Sequence, residues 1–93
     1  MNMSDEMQMD VKSVLKKFVT KNFLVSAAVD SFDDADSFLE KGIIDSTGVL
    51  ELLEFIEETF RIRVEDEEVV PANLDSLNNL TSFIRKKLDN AGQ

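Results

Sequence analysis

The sequence predicts an all-α fold, a small four-helix bundle of three main helices and one short helix with a long first connection. Three observations carry this. Apolar residues recur at helical spacing in three separate segments. No run alternates Val, Ile or Thr with polar residues over a useful strand length. Hydrophobic content is 43% with seven Phe, enough to build a core in a 93-residue chain that suits one domain.

Residues 1–6 are polar and are expected to be a flexible N-terminus. The single domain then runs over residues 7–89, with residues 90–93 as a tail. Met7, Val11, Val14, Leu15 and Phe18 form the stripe of a first helix, with Lys12, Lys16 and Lys17 off it. Asp5, Glu6 and Asp10 at its start and Lys21 at its end suit the helix dipole.

Residues 24–44 lose the period and predict a long connection with brief turns. Phe32, Phe38 and Leu39 are expected to pin it, and Gly42-Ile43-Ile44 closes it. Asp45-Ser46 opens the second helix. Val49, Leu52, Leu53, Ile56 and Phe60 make its buried stripe, with Leu50 as a flank. Glu51, Glu54, Glu57 and Glu58 take the other side. Residues 65–70 fit one short helical turn that Pro71 ends. Asp75 or Ser76 caps the last helix, whose stripe is Leu77, Leu80, Ile84 and Leu88.

Composition removes several classes of function. There is no Cys and no His, so no thiolate zinc site, disulfide, cysteine nucleophile or histidine base exists. The net charge is −9, which repels nucleic acid. No apolar run approaches a membrane span and no signal-peptide pattern opens the chain, so a cytoplasmic location is expected. The aspartates at 30–36 invite a calcium loop. With Asp30 at its first position, Ala35 stands where the turn glycine belongs and Lys41 where the bidentate glutamate belongs. That reading fails, and no metal site is expected.

The charge is uneven. Residues 45–68 carry nine acids and two bases, net −7, whereas residues 1–44 are net −3 and residues 69–93 net +1. The acid concentrates directly behind Ser46. A serine in a first helical turn is often only part of a cap. Its context here is more specific. The run Asp36-Ser-Phe-Leu-Glu-Lys-Gly-Ile-Ile-Asp-Ser46, followed by an acidic amphipathic helix, a short acidic turn and a final helix, resembles the acyl carrier proteins over residues 8–88. Asp-Ser occurs four times, at 30–31, 36–37, 45–46 and 75–76. Ser76 has only 17 residues after it, too few for the helices that follow the family's serine, whereas Ser46 has 47.

The resemblance implies a carrier and not an enzyme. Ser46, behind Asp45, would bear a 4′-phosphopantetheine arm, and the arm's thiol an acyl or aminoacyl thioester. The expected partners are a phosphopantetheinyl transferase, an acyl- or aminoacyl-activating ligase, and synthase or transferase enzymes with basic docking patches. Thr47, Glu51, Glu54, Glu57 and Glu58 are the expected partner surface of a monomer. Thr47 stands where family members commonly have Leu or Met, and Gly48 where they often have an acid. Asp45-Ser46-x-Gly48 followed by Leu50-Glu51-Leu52-Leu53 looks more like stand-alone aminoacyl, D-alanyl or specialised-pathway carriers, and Glu54, at a position often apolar in fatty-acid carriers, points the same way. From the residues alone, an unmodified acidic helical adaptor that binds a basic protein is the alternative.

Overall fold

The computed structural model describes the backbone of residues 3–91 and the side chains of residues 11–25 and 27–90. The elements are α1 (Met3–Val19), α2 (Ser46–Phe60), α3 (Pro71–Leu74) and α4 (Leu77–Ala91). They form an all-α four-helix bundle. A π-helical turn, Thr20–Leu24, and a last α-helical turn, Val25–Ala27, continue α1 without a break. The helix therefore extends past the expected start of the connection at residue 24, which begins instead at Ala28.

The physical reason lies in the spacing of its apolar residues. Val11, Leu15, Val19 and Phe23 are all buried and stand four apart. Four residues advance an α-helix by about 400°, so such a row drifts by about 40° per step. The wider π turn uses fewer degrees per residue and returns Phe23 and Leu24 to the buried face. Asn22 Nδ2 donates to the Phe18 carbonyl at 2.9 Å where the ladder changes. Ala28 ends the path in the left-handed conformation at φ 58°. The side chains of Asp5, Glu6, Met7 and Asp10 lie outside the described residues, as do residues 1–2 and 92–93.

The core is one cluster. Leu15 and Val19 of α1, Leu52 and Ile56 of α2, and Leu77, Leu80 and Ile84 of α4 are at most 1% exposed. Burying side chains of this kind is worth about 1.5–3 kcal/mol each before entropy is charged against it. Phe32, Phe38, Ile43 and Ile44 carry the long connection into this core. Leu39, expected to pin the same connection, is instead 53% exposed. Val49, Leu53 and Phe60 pack at the rim of the core, only partly buried.

Pro71 differs from its expected part. It opens α3 at the first helical position, where its missing N–H costs nothing, and does not close a helix over residues 65–70. That segment is a 3₁₀ turn, Asp66–Glu68, with a capping box between Glu65 and Glu68. Lys87 of α4 donates to Glu68 Oε1 at 2.9 Å and fastens this turn to the bundle.

The aspartates of the connection are held by lysines. Asp34 accepts from Lys12 at 2.9 Å, and that hydrogen bond keeps its carboxyl below the ordinary value. Asp36 accepts from the Asp33 N–H, its main influence, and pairs with Lys41, and it too is lowered. Among the described residues no group of three or more His, Cys, Asp or Glu could hold a metal ion. No described helix is long and apolar enough to cross a membrane.

Candidate functional site

The site grows from the start of α2. Asp45 is its N-cap, with extended backbone, and its Oδ1 accepts the Gly48 N–H at 2.8 Å. The Val49 N–H goes to the Asp45 carbonyl at 3.0 Å. Because Asp45 does the capping, Ser46 does not. It stands at the first helical position with its side chain exposed. Among the described residues no hydrogen bond occupies the N–H groups of Ser46 and Thr47. Two backbone donors and the positive end of the α2 dipole therefore lie beside the Ser46 hydroxyl.

The approach to this serine is a single helical turn over residues 37–41. Gly42 ends it at φ 69°, a conformation that favours glycine. The Ile43 N–H donates to the Phe38 carbonyl at 2.8 Å and the Gly42 N–H to the Leu39 carbonyl at 3.1 Å. The chain then sinks Ile43 and Ile44 into the core and surfaces at Asp45 and Ser46.

Gly48 is buried under this corner. A Cβ there would meet the Phe23 ring at 2.9 Å and an Ile44 methyl at 3.0 Å. The end of the α1 path thus reaches the base of α2 only because residue 48 has no side chain. The π turn and Gly48 are two halves of one contact.

An apolar groove of about 500 Å³ opens beside Ser46. It is lined by Phe38, Leu39 and Ile44 of the connection, by Val49, Leu50, Leu52 and Leu53 of α2, and by Val69, Val70, Pro71 and Leu74. Ser46, Asp66 and Asp75 are its polar members. Leu39, Leu50 and Val70 are 53%, 66% and 40% exposed, so the groove's lip is itself apolar.

Thr47, Leu50, Glu51, Glu54 and Glu58 share the outer face of α2, three and four residues apart, and all are exposed. Glu57 stands apart from the other expected acids. It is partly buried, and its Oε2 accepts the Val64 N–H at 2.9 Å. Phe55 faces inward and stacks on Phe18 with ring centroids 3.9 Å apart.

Sequence reasoning placed Ser46, Asp45, Thr47 and all four glutamates on one surface, and Glu57 departs from it because its carboxylate is engaged by the Val64 N–H. The same reasoning missed residues 69–71 as part of the groove's lining and the prominence of Leu50. A signal for Leu50 was present, since it falls three residues after Thr47 and four before Glu54, on the polar side of its helix. No family model matches the chain, and no curated protein matches it.

Proposed function

We propose that the chain is a carrier that accepts a 4′-phosphopantetheine arm on Ser46 and presents an acyl or aminoacyl thioester to partner enzymes. One observation carries the reading: an exposed, non-capping serine at a helix start, opening directly onto an apolar groove. The arm supplies the thiol that a chain without cysteine lacks. The residues present fit such a group. The free N–H groups of Ser46 and Thr47 suit the phosphodiester, and the groove suits an apolar portion of the carried group.

In the loading step the Ser46 Oγ attacks the β-phosphorus of coenzyme A. The new O–P bond forms as the bond to the departing 3′,5′-adenosine bisphosphate breaks, and the serine proton passes to a base of the transferase. Asp45 keeps Ser46 out of the capping position and so leaves its oxygen available. Thr47, Glu51, Glu54 and Glu58 offer a polar, mainly anionic stripe to enzymes with basic patches, with Leu50 as an apolar contact among them. Electrostatic steering of this kind speeds encounter and leaves complexes weak and salt-sensitive.

Incubation with coenzyme A and a broad-specificity phosphopantetheinyl transferase, followed by intact mass, tests the reading. A mass gain of one phosphopantetheine group that disappears in Ser46→Ala is expected. No gain, or a gain that persists in Ser46→Ala, overturns it. The same acidic stripe also suits an adaptor that is never modified. A chain that gains no mass yet binds a lysine-rich peptide in a salt-sensitive way would support that alternative.

A further inference from the structure

Asp75 lies in the junction between α3 and α4, 29 residues beyond Ser46 in the chain. It nevertheless organises the turn that leads to Ser46. A helical turn begins with four N–H groups that have no partner within it. In the turn over residues 37–41, with Ser37 as its cap, those after the cap belong to Phe38, Leu39 and Glu40, and all three are satisfied. The Phe38 N–H donates to the Asp75 carbonyl at 2.7 Å, and the Leu39 N–H to Asp75 Oδ1 at 3.0 Å. The Glu40 N–H donates to Ser37 Oγ at 3.1 Å and the Lys41 N–H to the Ser37 carbonyl at 3.0 Å. The Ser37 hydroxyl donates its proton to Asp75 Oδ2. Asp75 therefore supplies two of these three acceptors and orients the side chain that supplies the third.

Asp75 also ties together residues that line the groove: it accepts from Phe38 and Leu39, and its own N–H donates to the Pro71 carbonyl at 2.9 Å. The junction does not need Asp75 as its cap, since Ser76 fills that place, accepting the Asn79 N–H at 3.1 Å. The carboxylate is committed to the neighbouring turn instead.

We infer that Asp75 is a positioning residue for Ser46: it holds the 37–41 turn, and through it the approach to the modified serine, in the arrangement a transferase engages. The inference rests on the carrier reading. Without the carboxylate, two bonds of the turn are lost at once and a larger fraction of molecules hold the turn open. The rate of modification then falls by the fraction that remains competent.

The experiment measures kcat/KM for transfer from coenzyme A to the full chain, at a temperature well below melting. Asp75→Ala should lower kcat/KM by about fivefold to a hundredfold, the reach of two hydrogen bonds' net free energy. Asp75→Asn retains an acceptor for Leu39 and a polar partner for Ser37, and should restore most of the rate. Ser76→Ala removes the cap of α4 but leaves the Ser37 and Leu39 bonds, so it should lower the melting temperature without slowing modification. If Asp75→Ala does not fold, Ser37→Ala breaks the latch from its other end and should slow modification in its place. Wild-type rates in Asp75→Ala or Ser37→Ala would overturn the inference, as would an equal slowing by Ser76→Ala. Failure of the wild-type chain to gain mass would instead overturn the carrier reading itself.

Discussion

Asp45-Ser46 and Asp75-Ser76 are the same dipeptide at the start of two 15-residue helices, α2 and α4. In the first, aspartate is the cap and accepts the Gly48 N–H, while serine is exposed. In the second, serine is the cap and accepts the Asn79 N–H, is 6% exposed, and the aspartate side chain reaches away to Ser37 and Leu39. A shift of one residue in the capping position decides which oxygen is available to another molecule. Helix capping is therefore part of how this chain separates an exposed serine from a buried one.

The largest test of that contrast is chemical. Ser46→Ala should abolish the mass gain while changing stability by no more than about 0.5 kcal/mol, because the side chain is exposed and caps nothing. Ser76→Ala should keep the mass gain. Intact mass and denaturant melts on both variants check the pair.

Next in size is Gly48→Ala. Alanine adds about 1 kcal/mol of helix preference. Overpacking against Phe23 and Ile44 costs about 1–3 kcal/mol. A net loss of about 1 kcal/mol is expected in urea unfolding, and Phe23→Leu in the same chain should recover part of it.

The two caps come next. Asp45→Ala and Ser76→Ala should each cost about 1 kcal/mol, since each removes one acceptor at the third helical N–H. Chemical denaturation reads both. Equal losses would sharpen the contrast, showing that capping energy is shared between the serine and aspartate versions while exposure is not.

A smaller effect separates the helices by charge. Nine acids lie within residues 45–68, against two within residues 69–93. Screening that repulsion with salt should raise the melting temperature by about 2–4 °C, roughly 0.5 kcal/mol for a domain of this size. Glu54→Gln should shrink this salt response, and the same change at Asp89 on α4 should leave it unaltered.

The smallest effect concerns acid. The Glu65 N–H, then Lys87, hold the Glu68 carboxyl below its ordinary value. A lowered carboxyl favours folding at pH above its unfolded value of about 4.3. That contribution fades as pH falls through the folded value. Melting temperature should therefore fall on the acid side, and Glu68→Gln should flatten that fall. A pH series from about 7 to 3 on both proteins checks it.

Much of this architecture was legible in local pattern. The stripe of α2 and its start at Asp45-Ser46 follow from period and capping chemistry, which need only neighbouring residues. The exposed side of Thr47, Glu51, Glu54 and Glu58 follows from the same period. The π turn was not legible, because residues spaced by four fit an ordinary α-helix as well, and nothing in their spacing marks where the ladder widens. Pro71 can close one helix or open the next, and local rules allow both. Asp75 and Ser76 are both good caps, and their division of labour depends on Ser37 and Leu39, far away in the chain.

The sequence by itself determined an acidic all-α chain with one serine at the head of its most acidic helix. Those properties come from composition and from spacings of three and four residues. Tertiary structure decided the rest: the fit of Phe23 over Gly48, the groove beside Ser46, the engagement of Glu57 by Val64, and the commitment of Asp75 to the 37–41 turn. Each joins at least one group that no helical or turn spacing brings to its partner. Only chain closure around a common core determines which unpaired N–H meets which oxygen.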